Sequence, residues 1–146
     1  TFEKLGAKSV VVSNLYFPQI VNNINHKQVI ERLKNREIVV FGGGTGQPYF
    51  TTDTGAALWA LKIKADVILK ATKVDGVYSS DPMSDPNAKR YNEISLTEAF
   101  QKELKVMDNT AFSLCMKHQL PIVVYKLLPG NTKLAIYKRD VGTLVY

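Results

Sequence analysis

Residues 37–60 read EIVVFGGGTGQPYFTTDTGAALWA, and this stretch decides the fold class. A continuous apolar run that ends in glycines is typical of a strand buried on both faces of a parallel sheet. The alanines that follow recur at helical spacing, so we expect a helix capped by Thr52 or Asp53. Strand, glycine-rich turn and helix in this order indicate an α/β protein.

Outward from this stretch, strands and helices continue to alternate. ADVILKA, at residues 65–71, predicts another buried strand, so residues 37–71 are expected to form a βαβ unit. On the amino side we expect a strand at 7–13 and a helix capped by Asn25 that runs to about Asn35. The elements expected on the carboxyl side are a long polar loop at 72–92, a helix capped by Ser95, a helix at 109–118, a strand at 121–126, a helix at 131–136 and an edge strand at 142–146.

Composition bounds the class of protein. A chain of 146 residues, 45% of them hydrophobic, predicts a single compact domain over 1–146. The net charge of +6 is scattered along the chain, which suits anionic small molecules. The sequence shows no recognition helix and no RRM-type motif, so we expect no nucleic-acid partner. No apolar run approaches the ~18 residues of a membrane span, and we expect no membrane partner. The single cysteine, Cys115, is expected to be a small buried hydrophobe.

The glycine-rich loop predicts an anion site. Glycines allow backbone N–H groups to approach an anion closely, and the start of a helix adds a positive field. Thr45, Thr51 and Thr52 add hydroxyl donors. The loop matches neither a Walker A motif nor the dinucleotide fingerprint G-x-G-x-x-G. A tight strand-to-helix turn without a ligand is the alternative.

A second candidate constellation is KATKVDGVYSSDP, residues 70–82. Lys70 and Lys73, expected at a strand end, can neutralise charge on a transferring phosphoryl group. Tyr78 can stack on a base, and Asp81 can meet a ribose hydroxyl or a metal-bound water. Solvated lysines, a packing tyrosine and a turn aspartate explain the same spacing, so both readings stay open.

Three motifs carry a family resemblance: GTGQPYFTTDT at 44–54, KATKVDGVYSSDP at 70–82 and ELKVMDNTAF at 103–112. In this order they closely resemble the bacterial and plastid-type UMP kinases of the amino-acid-kinase superfamily. The resemblance implies an α/β three-layer sandwich with a mostly parallel sheet, and transfer of the γ-phosphate of ATP to UMP to give UDP. It also implies Mg2+ bound with ATP, a homohexamer, and a cytoplasmic or plastid-type location.

The resemblance also implies site residues. Beside these, the chemistry of phosphoryl transfer makes Lys70, Asp53 and Asp108 the catalytic candidates, because a carboxylate can orient a lysine or a metal-bound water; helix capping is the alternative for both aspartates. No metal site made of protein ligands is expected. The ATP contacts implied are Thr72, Tyr78 and Asp81. The UMP contacts implied are Thr45, Gly46, Gln47, Pro48, Tyr49, Phe50, Thr51 and Thr52, where the family usually carries Asn in place of Gln47 and Phe in place of Tyr49.

Family members have a longer amino-terminal part with a Lys-x-Ser-Gly loop, which these residues do not contain. We therefore expect the chain to represent the carboxy-terminal part of the fold and to turn over little UMP alone. Two alternatives remain open. One is a non-catalytic nucleotide-binding module of the same fold. The other is an amino-acid kinase that acts on aspartate, glutamate or carbamate.

Overall fold

The computed structural model describes residues 2–15, 25–137 and 141–146. The chain divides into two compact units, Thr1–Lys64 and Ala65–Tyr146, and each is described by itself. The single domain expected over 1–146 stays a prediction.

The first unit holds one parallel strand pair and two helices. Its elements are a short 3-10 helix at Glu3–Leu5, strand β1 at Ser9–Ser13, helix α1 at His26–Lys34, strand β2 at Ile38–Gly42 and helix α2 at Thr52–Ile63. Strand β1 pairs with β2 in parallel. Helix α1 begins with the expected cap: the Asn25 side chain accepts the Gln28 N–H at 3.1 Å, and the Gln28 side chain accepts the Asn25 N–H at 3.0 Å.

Only one face of the β1–β2 pair is buried among the described residues. On that face Val12 packs with Val29 of α1 and Trp59 of α2. On the other face Val11 and Val40 are 50% and 38% exposed. The prediction that β2 is buried on both faces is therefore wrong for the described residues, because both helices of this unit contact the same side of the pair.

Helix α2 begins one residue earlier than its sequence indicates. Thr51 is the N-cap, with extended backbone angles, and its hydroxyl oxygen accepts the N–H groups of Asp53 at 3.1 Å and Thr54 at 3.4 Å. The expected caps, Thr52 and Asp53, are wrong because both already lie in the first helical turn. The helix ends at Lys64 in the left-handed conformation.

The second unit is built on a four-stranded sheet of order β3-β5-β6-β4. Its elements are β3 at Ile68–Thr72, β4 at Glu93–Ile94, α3 at Leu96–Gln101, α4 at Asn109–His118, β5 at Ile122–Lys126, α5 at Asn131–Tyr137 and β6 at Thr143–Val145. The β3–β5 and β4–β6 pairs are parallel, and the β5–β6 pair is antiparallel. Parallel pairing therefore predominates, as expected.

Two topological expectations are wrong. The carboxy-terminal strand β6 is not an edge strand, because it lies between β5 and β4. The two-residue strand β4 is too short to show an alternating pattern in the sequence, so the true edge was missed. The βαβ unit expected over 37–71 does not form as one paired unit, because β2 pairs with β1 and β3 pairs with β5.

Burial in the second unit centres on β5. Its first four residues are buried, and Val123 and Tyr125 form a cluster with Ala135 of α5. Cys115 of α4 is fully buried, as expected. Across the described ranges, no helix has the length and apolarity that crossing a membrane requires.

Candidate functional sites

The glycine-rich loop of the first unit is folded tightly on the end of β1. Gly43 and Gly46 both have positive φ angles, and the Gly46 N–H donates to the Gly43 carbonyl at 3.0 Å. A Cβ at Gly43 would lie 2.8 Å from the Ser13 hydroxyl oxygen. The Asn14 side-chain amide donates to the Gly44 carbonyl at 2.6 Å. These contacts fix the loop backbone before a ligand binds.

Some hydroxyl groups of the loop form hydrogen bonds within the loop or with the start of α2. Thr45 Oγ1 accepts the Gln47 N–H at 3.1 Å and donates to the Gln47 carbonyl at 3.2 Å. The Thr51 hydroxyl oxygen accepts the two helical N–H groups of its cap. Exposed Thr52 lies at the first position of α2. The three threonines expected as ligand donors therefore have different local roles.

A shallow cleft of about 470 Å³ borders this loop. Its lining includes most of the expected UMP contacts, together with Leu15 and two further glycines. Pro48 and Tyr49 are the two expected contacts outside this lining. Tyr49 is fully exposed and has a φ of +68°, which is strained for an aromatic residue. The lining consists of Leu15, Gly43, Gly44, Thr45, Gly46, Gln47, Phe50, Thr51 and Thr52.

The long loop of the second unit is closed into a ribbon by hydrogen bonds. The Tyr91 N–H donates to the Val77 carbonyl at 2.9 Å, and the Ser79 N–H donates to the Lys89 carbonyl at 2.9 Å. Fully buried Thr143 of β6 joins the two sides, because its hydroxyl oxygen accepts the Val77 N–H at 2.8 Å and its proton goes to the Tyr91 carbonyl. The ribbon is therefore anchored on the sheet.

Polar side chains at the base of the ribbon form a network. The Tyr78 phenol donates to Asp75 Oδ1 at 2.7 Å, and Arg90 Nη1 lies 3.5 Å from Asp75 Oδ2. The Tyr78 hydrogen bond, with smaller contributions from Arg90 and Lys126, holds the pKa of the Asp75 carboxyl below its ordinary value. The same hydrogen bond raises the pKa of Tyr78. The carboxylate is therefore ionised at neutral pH.

The expected ATP contacts lie at two separate places in this unit. Tyr78 and Asp81 line a cleft of about 380 Å³, whose other wall is the segment 102–105. Thr72 instead borders a hollow with Lys73 and Lys126. The structure thus brings Tyr78 and Asp81 together and places Thr72 beside two lysines at the carboxyl ends of β3 and β5.

The catalytic candidates occupy ordinary structural positions. Lys70 lies in the middle of β3, opposite Val124, and not at the strand end. Asp108 caps α4, where its carboxylate accepts the N–H groups of Thr110 and Ala111 at 2.9 and 3.0 Å. Asp53 lies in the first turn of α2. No cluster of three or more His, Cys, Asp or Glu side chains suited to a metal occurs in the described part of the chain.

Several contacts between site residues carry no distinctive sequence signal. Asp75 and Arg90 are 15 residues apart, and Thr143 is 66 residues beyond the N–H group that it binds. The cleft wall at 102–105 overlaps the start of the ELKVMDNTAF motif at 103–112, which in the sequence supports only the family resemblance. Only the fold brings these residues together.

The glycine-rich loop ahead of α2 and the cleft beside the ribbon belong to an α/β protein in which parallel strand pairing predominates. The family model described as "Amino acid kinase family" matches residues 2–126. The chain belongs to the amino acid kinase family.

Individual relatives are uridylate kinases. The chain is 47% identical to "Uridylate kinase" of Vesicomyosocius okutanii subsp. Calyptogena okutanii over 148 residues, which cover 99% of this chain and 62% of that protein. The UMP kinase crystal structure from Bacillus anthracis matches with a TM-score of 0.93 at 32% identity, covering 99% of this chain and 60% of that one. UMP kinase from Ureaplasma parvum matches with a TM-score of 0.89 at 32% identity, covering 98% and 62%. The chain thus spans about 60% of the length of these relatives.

Proposed function

We propose that the protein is a UMP kinase, which transfers the γ-phosphate of ATP to UMP and releases UDP in pyrimidine nucleotide biosynthesis. The observation that carries this proposal is the 47% identity to a uridylate kinase along nearly the whole chain. The glycine-rich loop supports it, because it leads into the start of helix α2 and borders a cleft, and the start of a helix favours a phosphate.

The acceptor UMP is assigned to the loop of the first unit. Gly46 and Thr52 border its cleft, where the exposed Thr52 hydroxyl can donate to phosphate oxygens, while the Gly46 N–H already donates to the Gly43 carbonyl. Gln47 borders the same cleft and carries an amide that can both donate to and accept from a uracil or ribose. Phe50, about half exposed, offers a ring for the base.

The donor ATP is assigned to the second unit. Tyr78 supplies a ring face and Asp81 a carboxylate in the cleft of about 380 Å³. Thr72 borders the hollow where Lys73 and Lys126 supply positive charge. In phosphoryl transfer the protein contributes mainly positioning and charge neutralisation, so lysines and hydroxyl donors are the side chains that it needs.

Mg2+ is proposed to enter with ATP. Magnesium in kinases is held by one or two carboxylates together with the substrate phosphates, so a site of three protein ligands is not required. Asp53, half-buried in the first turn of α2, is kept as a catalytic candidate and not as a metal ligand. When bound, Mg2+ neutralises charge on the phosphates. Lys70 and Asp108 remain catalytic candidates under this proposal.

Acceptor choice tests the proposal. UMP, aspartate, glutamate and carbamate are each supplied with ATP and Mg2+, and ADP release is coupled to NADH oxidation. We expect ADP release only when UMP is the acceptor, and the rate is expected to be low for these 146 residues. Preferred transfer to a carboxylate or carbamate would instead make the protein a different amino acid kinase. Tight binding of UMP and ATP without any UDP formation would favour a non-catalytic nucleotide-binding module.

Assembly and location are proposed on the same resemblance. We infer a homo-oligomer, with a hexamer as the expected state, and a cytoplasmic location, with a plastid-type organelle as the alternative. Light scattering coupled to size-exclusion chromatography measures the mass of the assembly. A monomer at micromolar concentration would contradict the hexamer.

A further inference from the structure

Tyr78 supplies the aromatic ring in the cleft of the second unit, and its hydroxyl is already bound inside the protein. The phenol donates to Asp75 Oδ1 at 2.7 Å, three residues earlier in the chain. We propose that Asp75 is a positioning residue, which holds the Tyr78 ring in the orientation that stacks on the base of ATP. This inference rests on the proposed function, because it takes ATP as the ligand of the cleft.

Asp75 is well placed to act as a fixed point. Arg90 Nη1 lies 3.3 Å from the Asp75 carbonyl oxygen and 3.5 Å from its carboxylate. The next residue, Gly76, is buried so closely that a Cβ there would meet Arg90 Cδ at 2.9 Å and also Thr143 Oγ1. The backbone that carries the carboxylate is therefore confined by β6 on one side and by Arg90 on the other.

The Tyr78 ring and the opposite wall of the cleft are expected to recognise different parts of the nucleobase. Because the Tyr78 hydroxyl is committed to Asp75, the ring presents its face and not its hydrogen-bonding edge to a ligand. A ring face stacks on any nucleobase. The base edge must then be recognised by other cleft residues, and the segment 102–105 forms the opposite wall. Lys102 of that wall is bound by Glu98 at 2.6 Å, whereas Lys105 makes no ion pair with any of the described residues.

Four variants of the 146-residue chain test the coupling: Asp75→Ala, Asp75→Asn, Tyr78→Phe and the double variant Asp75→Ala/Tyr78→Phe. Calorimetric titration with ATP and MgCl2 gives the Kd of each. We expect Asp75→Ala and Tyr78→Phe each to weaken binding about three- to tenfold, which is the range for the loss of one ordinary hydrogen bond. The double variant is expected to be no weaker than either single variant, because both remove the same bond.

Conservative replacement separates positioning from charge. An asparagine oxygen still accepts from the phenol, so Asp75→Asn is expected to restore most of the affinity lost in Asp75→Ala. Asp66→Asn is the matched control, because it removes one exposed negative charge from the same unit and is expected to change Kd less than twofold. Circular dichroism checks folding, and Tyr78→Phe supplies the test if Asp75→Ala does not fold.

The outcomes distinguish this inference from the proposed function. Losses that add in the double variant, or full affinity in Asp75→Ala, would overturn the positioning role even if the protein makes UDP. Coupled losses in a protein that binds ATP but makes no UDP would support the positioning role and overturn the kinase activity. If the wild-type chain does not bind ATP, the positioning role of Asp75 and the proposed kinase function are both overturned.

Discussion

A Cβ atom placed on Gly55 would lie 2.9 Å from the carbonyl carbon of Gly44. Helix α2 therefore touches the glycine-rich loop backbone to backbone, with no room for a side chain between them. The contact fixes the loop relative to the helix start, where a bound phosphate is expected. This close approach therefore requires glycine at position 55, whereas a Cβ on Gly44 would meet only Thr52 Cγ2, at 4.0 Å.

Gly55→Ala is expected to destabilise the first unit. Alanine favours a helix over glycine by about 1 kcal/mol, but overpacking against fixed backbone costs about 1–3 kcal/mol, so the second effect prevails. Urea unfolding followed by fluorescence of Trp59, the single tryptophan, measures the change in this unit. Gly42→Ala is the control, because a Cβ there has no atom within 4 Å. Equal stability of the two variants would contradict the close contact.

Thr51 and Thr52 are expected to respond differently to the same change. Thr51→Ala removes the cap of α2 and should lower the free energy of unfolding by about 1 kcal/mol. Thr52→Ala removes an exposed hydroxyl beyond the cap, so stability should change by less than about 0.5 kcal/mol while UMP affinity falls. Urea unfolding and calorimetric titration with UMP separate the two effects. A larger loss of stability in Thr52→Ala would reassign the cap.

Asp108→Asn separates the cap from the proposed catalytic role. Asparagine caps a helix as well as aspartate does, so the free energy of unfolding should change by less than about 0.5 kcal/mol. Asp108→Ala should lose about 1 kcal/mol. If the carboxylate takes part in phosphoryl transfer, UDP formation should fall at least about tenfold in both variants. Full activity of Asp108→Asn would mean that Asp108 serves only as the N-cap of α4.

Cys115 makes stability depend on alkaline pH. Burial raises the pKa of its thiol from 9.0 to about 11. Between these values the unfolded thiol releases its proton while the folded one keeps it, so the unfolded state binds fewer protons. The stabilisation from this group is thus complete below pH 9 and is lost as the pH rises towards 11. Other groups also titrate there, so the measurement is the difference between the unfolding profiles of the wild type and Cys115→Ala. Parallel profiles would contradict a raised pKa.

Local signals in the sequence predict much of the secondary structure. Asn25 and Ser95 cap the helices that follow them, and α4 has the predicted bounds, because capping residues act on their immediate neighbours. The predicted cap of α2 lies after the observed one, because Thr51, Thr52 and Asp53 are three consecutive residues of types that cap helices well. The pairing partners of the strands are harder to predict, because the position of β6 between β5 and β4 depends on contacts distant in sequence.

The site, like the fold, is only partly predictable from the sequence. Motifs predict that the loop at 44–52 surrounds a cleft, because its glycines and threonines are contiguous. They do not predict that Asp75 binds Tyr78, since the same spacing fits a solvated turn aspartate. Nor do they predict that Thr72 and Tyr78 line different hollows. The assignments of ligands to these residues stay predictions.

The uncovered face of the β1–β2 pair affects how the protein behaves in solution. Val11 and Val40 are register partners on that face, so their exposed side chains form an apolar strip across both strands. Such strips attract one another in water, and attraction grows with concentration and with salts that strengthen apolar association. The preparation is therefore expected to stay clear when dilute and to scatter light when concentrated in ammonium sulfate, because two valines on one strand face remain exposed.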